Sequence, residues 1–130
     1  MTQPRPFRWT GRIRSVQYAL RGIRSMLATQ HNAWIHAAAT AAVCALGWLL
    51  SLTRVEWCWI AIAIVTVWTA EALNTAFELL CDVASPDFHP RVEQSKDVAA
   101  GAVLISALGS ALIGLLILGP RLWTALAGRT

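Results

Sequence analysis

From Thr69 to Asp82 the chain reads Thr-Ala-Glu-Ala-Leu-Asn-Thr-Ala-Phe-Glu-Leu-Leu-Cys-Asp, an apolar run with polar groups set into it at regular intervals. Glu71, Asn74, Glu78 and Asp82 stand three, four and four residues apart, so on a helix all four project from one face. At ~1.5 Å per residue the track is roughly 16 Å long. A carboxylate partly withdrawn from water on such a track suits a general base that takes a proton from an alcohol. The alternatives are a Glu71 that only joins helices and an Asp82 that is simply solvated at a helix end. A second group follows at Ser95-Lys-Asp-Val98. Ser95 is expected to cap the helix that starts there, and the first-turn N–H groups with Lys96 would form a place for phosphate. Asp97 serves equally well to satisfy the helix dipole. The sequence holds neither a Gly-x-x-x-x-Gly-Lys-Ser/Thr loop nor a Gly-x-Gly-x-x-Gly turn, so a nucleotide site here would belong to neither common class.

The elements that must position these groups are membrane helices. A 130-residue chain that is 56% hydrophobic is too apolar for an ordinary soluble domain of that size. It reads as one domain over residues 1–130. Ile13, Val16, Leu20, Ile23 and Leu27 recur at three- and four-residue spacings among Arg12, Arg14, Arg21 and Arg24, the pattern of an amphipathic helix at a membrane surface, about 11–30. Three spans follow at 32–52, 57–80 and 98–118, each near the ~20 residues needed to cross the hydrocarbon core. Acidic groups at membrane depth cost on the order of 2.5–3.5 kcal/mol each, so the acidic face of span two must look into a cleft or a partner chain.

Charge orients the chain. Six arginines precede residue 25, and Arg91 and Lys96 fall on the same side as them, against Arg54, Arg121 and Arg129 on the other. The N-terminus and the second loop are therefore expected in the cytoplasm. Trp48, Trp57, Trp59 and Trp123 gather at the opposite interface, with Trp34 at the inner end of span one and Trp68 mid-span as packing. Long apolar runs directly after the basic arm favour a membrane surface over nucleic acid as its partner. Ala102, Ser106, Ser110 and Gly114 put a small residue at every fourth position of span three, which implies close packing within the chain or between copies. Cys44, Cys58 and Cys81 read as small buried hydrophobes, and His31 and His36, five apart, fall on different faces, against a two-histidine metal pair.

The segment Glu71-Ala-Leu-Asn-Thr-Ala-Phe-Glu78, then Asp82, His89 and Ser95-Lys-Asp-Val-Ala-Ala-Gly-Ala-Val-Leu104, closely resembles the signature of the prokaryotic diacylglycerol kinase and undecaprenol kinase family. A looser likeness covers Gly22 to Asn32 and Ile35-His36. The resemblance implies an all-α membrane protein of a surface helix and three spans, in the bacterial inner membrane, assembled as a homotrimer with composite sites between subunits. It implies an ATP-dependent, magnesium-requiring kinase that phosphorylates the hydroxyl of a lipid alcohol, diacylglycerol or undecaprenol. Carried over position by position, Glu71 would be the catalytic base and Glu78 a metal ligand, while Asn74, Asp82, Lys96 and Asp97 would hold nucleotide, phosphates or metal. Gln30 stands where the family usually has a metal-binding glutamate. Its carbonyl can still meet a hard cation, with one negative charge fewer. The competing reading is a non-catalytic membrane protein, an ion or proton pathway or a regulatory subunit, whose acidic face carries protons. It needs a continuous polar track, and span two is apolar from Ile60 to Val67 but for Thr66.

Overall fold

The computed structural model describes residues 9–128, with side chains from residue 11 onward. Arg5 and Arg8 of the basic arm and Arg129 of the orientation argument lie outside the described residues. Four helices follow one another, α1 (Trp9–Thr29), α2 (His31–Leu49), α3 (Arg54–Ala84) and α4 (Pro90–Ala127). The last three are long and apolar enough to cross a membrane. The protein is an all-helical membrane protein with α1 ahead of its three spans.

Only Gln30 separates α1 from α2. Its extended backbone, φ −102° and ψ 116°, ends one helix and starts the next, while its N–H still bonds Met26 O at 2.9 Å. The apolar stripe of α1 is largely uncovered by the described residues: Ile13, Val16 and Leu20 are about three-fifths exposed, although Met26 near its end is buried. That is the distribution of a helix lying on lipid with its last turn docked.

The connections sit differently from the expected ones. The helix that carries span two begins ahead of the span itself, because Thr53 and Glu56 form a capping box: Glu56 N–H donates to Thr53 Oγ1 at 3.4 Å, and Thr53 N–H to Glu56 Oε2 at 2.7 Å. Both orphan donors at the helix start are thereby satisfied. The larger change is at α4. Its N-cap is His89, whose Nδ1 accepts from Arg91 N–H at 3.3 Å, and Pro90 takes the first turn, where its fixed φ suits a helix and its missing N–H costs nothing. Ser95 therefore caps nothing. It lies inside α4, its hydroxyl donating to Arg91 O at 2.9 Å, and Lys96 and Asp97 stand in the second turn, away from the free amides of the helix start. The expectation of a phosphate site on that helix terminus fails for this reason.

α3 and α4 run antiparallel along their length. Arg121 and Glu56 pair at one end, Ser110 Oγ donates to Ala63 O at 2.9 Å in the middle, and Lys96 meets Asp82 at the other end. Ser110 of the small-residue stripe thus joins α4 to α3 within the chain. α2 packs on α3 in the same sense, with the Trp68 indole N–H donating to Thr40 Oγ1 at 3.1 Å, which makes Trp68 a packing residue with a satisfied polar atom. The apolar core lies at the end away from Asp82, where buried Leu52, Ile60 and Leu118 pack with Val43, Leu46 and Trp57. Toward the other end of α3 three polar side chains are buried, Glu71, Asn74 and Thr75, with Cys81 beyond them. Apolar side chains close the bundle at one end, and its buried polar groups gather toward the other.

Candidate active site

The helical spacing brings Glu71, Asn74 and Glu78 onto the face of α3 that looks toward α2 and α4. Glu71 is fully buried and Asn74 is 6% exposed. Neither carboxylate oxygen of Glu71 has a hydrogen-bond partner among the described residues, nor does Asn74 Oδ1. Such atoms are rare in a folded interior and call for an explanation. One turn further on, each oxygen of Glu78 has a partner: Asn74 Nδ2 donates to its Oε1 at 2.9 Å and Gln30 Nε2 to its Oε2 at 3.1 Å. Gln30 comes from the α1–α2 junction, so the fold closes a gap of 48 residues to set it against Glu78. A cleft of about 240 Å³ opens beside these groups, lined by Asn32, Ile35 and His36 of α2, Asn74 and Glu78 of α3, and Ala100, Val103, Leu104 and Ala107 of α4.

Asp82 and Lys96 form a second cluster one turn beyond Glu78, Lys96 Nζ donating to Asp82 Oδ1 at 3.0 Å. That hydrogen bond, with the carboxylate's charge, holds the Lys96 ammonium above its ordinary pKa, so the cation persists at any physiological pH. Asp97 is exposed on α4, outside both clusters. The structure therefore joins Gln30, Asn74 and Glu78 in one group and Asp82 with Lys96 in another, and leaves Asp97 to itself.

Sequence reasoning missed His36 as part of this face. Its Nε2 lies 3.8 Å from Glu71 Oε2, and no spacing rule links two residues on different helices. It also missed the far-end network, where Arg121 makes a two-pronged pair with Glu56, Nε to Oε1 at 3.1 Å and Nη2 to Oε2 at 2.7 Å. Half of that network was readable, since Thr53-Arg-Val-Glu56 has the residues of a capping box.

The sequence is similar to known proteins over nearly the whole described region. A profile of the family described as prokaryotic diacylglycerol kinase matches residues 17–118. An undecaprenol kinase of Bacillus subtilis is 41% identical over 109 residues, which is 84% of this chain and 89% of that protein. A diacylglycerol kinase of Synechocystis sp. is 35% identical over 109 residues, 83% of this chain but only 62% of that longer protein. The profile match takes in every residue of both polar clusters, and on it and on these relatives the chain belongs to the prokaryotic diacylglycerol kinase family.

Proposed function

We propose that the protein is a lipid kinase that transfers the γ-phosphate of ATP to the hydroxyl of a membrane lipid alcohol, diacylglycerol or undecaprenol, the substrates in its relatives' names. The observation that carries the reading is Glu71, a carboxylate wholly out of water with neither oxygen hydrogen-bonded among the described residues, on the face that borders a cleft between the spans. A base held in this way is free to accept the alcohol proton as the oxygen attacks γ-phosphorus and the bond to ADP breaks. Lys96 would meet the phosphates as a compact positive charge, with Asp82 holding it in place and Asn74 and Asp97 completing the nucleotide contacts. The alternative of a conducting pore is disfavoured by buried Ile60, Ala63 and Val67 along α3, which break any polar track.

The donor chemistry beside Glu78 fits magnesium. Among the described residues no three His, Cys, Asp or Glu side chains gather, so a cation would rely on one carboxylate, amide carbonyls, phosphate oxygens and water, as magnesium commonly does. Asn74 Oδ1 is a buried acceptor in want of a partner, and half-turns of the Asn74 and Gln30 amides exchange N–H for carbonyl. Glu78, Asn74 and Gln30 would then hold the ion, which neutralises phosphate charge when bound.

Two further parts of the reading concern the assembly and its setting. The cleft is open, and Leu104, Leu108, Leu112 and Leu115 of α4 are more than half exposed, which supports a homotrimer whose sites take groups from two subunits. The arginine-rich α1 and the Arg91–Lys96 segment support a bacterial inner-membrane location with the Asp82 end in the cytoplasm. The test is transfer of labelled phosphate from ATP to a panel of lipid alcohols by purified full-length chain in mixed micelles. We expect magnesium-dependent labelling of at least one lipid; a folded preparation that labels none overturns the reading.

A further inference from the structure

His36 has no part in the roles above, yet it is the side chain that faces the base. It stands in the second turn of α2 with its side chain 15% exposed, and its Nε2 is 3.8 Å from Oε2 of Glu71, whose side chain is 1% exposed. Nε2 and both Glu71 oxygens are buried without a hydrogen-bond partner among the described residues. Burying one such atom is costly, and three that face one another from two helices have a cheap common remedy. The gap exceeds a hydrogen bond by less than one ångström and is too short to admit a water on the line between the two atoms. A small rotation of the imidazole closes it. His36 also lines the cleft with Asn74 and Glu78, so a lipid hydroxyl that enters the cleft meets the ring on its way to Glu71.

We propose that His36 is a positioning residue for Glu71. Its neutral imidazole, with the proton on Nε2, donates to Glu71 Oε2 and turns the carboxylate so that Oε1 meets the lipid hydroxyl. The hydroxyl proton passes to Oε1, the freed oxygen pair forms the new bond to γ-phosphorus, and the pair of the broken P–O bond leaves with ADP. No proton moves to or from His36 in this step. Its effect comes from holding an otherwise untethered base, and misplacing a reacting group by about 1 Å can cost on the order of 10²-fold in rate.

The proposal rests on Glu71 being the base, and a double-mutant cycle separates the two ideas. kcat and KM for ATP are measured on the full-length protein for His36→Ala, His36→Gln, His36→Asn, Glu71→Gln and His36→Ala/Glu71→Gln. A glutamine amide reaches the place of Nε2, whereas that of asparagine falls short, near Nδ1. We expect His36→Ala and His36→Asn to lower kcat by roughly 10- to 100-fold with KM for ATP within about twofold. We expect His36→Gln to recover most of the loss, and His36→Ala to add less than about twofold on the Glu71→Gln background, where no base remains to be held. Equal losses on both backgrounds, or no difference between Gln and Asn, overturn the role of His36 while leaving Glu71 intact. Near-normal turnover of Glu71→Gln removes the base, and the proposal with it. Should His36→Ala fail to fold, the contrast of Gln with Asn decides.

Discussion

Glu78 and Glu71 are the same residue type two turns apart on one helix, and their surroundings differ in a way that fits the different roles proposed for them. Glu78 receives two amide N–H groups, from Asn74 and Gln30, and is a carboxylate already held in the geometry of a ligand. Glu71 receives none from the described residues and is left able to take a proton. If Glu78 holds magnesium as proposed, Gln30 sets how strongly that side attracts the cation, because its amide supplies a dipole where a glutamate would supply a charge. Gln30→Glu brings a second carboxylate about as close to Glu78 as the present hydrogen bond of 3.1 Å. Two charges ~4 Å apart interact by about 4 kcal/mol at an effective dielectric of 20. If a quarter of that appears as better magnesium binding, half-maximal magnesium falls by about fivefold. The same repulsion lowers thermal stability when magnesium is absent. A magnesium titration of activity with melting curves in EDTA measures both, and no change for Gln30→Glu or Gln30→Ala would put Gln30 outside the metal shell.

Among the elements, the α2–α3 connection holds the spans in register through close packing and one charged network. Gly47 lies in the last turn of α2, where an added Cβ would stand 2.9 Å from the Trp57 ring and 3.0 Å from Leu52 Cδ1. Alanine is worth up to ~1 kcal/mol over glycine in an exposed helix, but overpacking costs typically ~1–3 kcal/mol. Leu52 is buried and the Trp57 ring is rigid, so Gly47→Ala is expected to destabilise the protein by roughly 1 kcal/mol, read as a lower Tm at unchanged helicity. Beside it, ahead of span two, Glu56 accepts from Thr53 and from Arg121. The Thr53 hydrogen bonds first, then Arg121, hold its carboxyl below the usual carboxylate pKa. A group whose pKa is lowered in the folded state contributes stability that is complete above its unfolded pKa, ~4.3, and is lost as pH falls through the folded one. Melting temperature should therefore drop on acidification below about pH 4.3. Glu56→Gln should start lower at neutral pH and lose less on acidification, a difference that melts at pH 7 and pH 3.5 would reveal.

For the molecule as a whole, one chain buries Glu71 but leaves Glu78 beside an open cleft and the Lys96–Asp82 pair largely in the open. The α3–α4 hairpin is tight, α2 covers only part of α3, and the apolar stripes of α1 and α4 are largely exposed. Lipid can cover an apolar face, but it cannot complete a polar cleft. If a second copy does so, Glu71→Gln and Lys96→Ala chains, each strongly impaired alone, should recover activity when mixed before assembly. Random mixing of three chains with sites built from two predicts roughly a quarter of wild-type activity when the two mutations fall in different halves of a site. Recovery is read from initial rates at fixed total protein, with mixed assemblies verified by tagged pull-down. No recovery in verified mixtures would mean that each chain owns a whole site.

The sequence alone determined the helical class, the three spans and the acidic face of α3, because each follows from a local rule: apolar length sets a span and the 3.6-residue period sets a face. It also carried the family, through a gapped polar signature that an apolar span does not need for its own stability. What the tertiary structure decided lies between elements or at their ends. Pro90 and His89 start α4 well before the apolar run begins, since a membrane helix continues into water wherever its caps allow, and that took Ser95 away from the role its spacing implied. Gln30 meets Glu78, and His36 faces Glu71, only because α2 returns alongside α3. The chain distance between the members of such pairs is unrelated to their separation in space, and only packing of the apolar faces brings them within reach of one another.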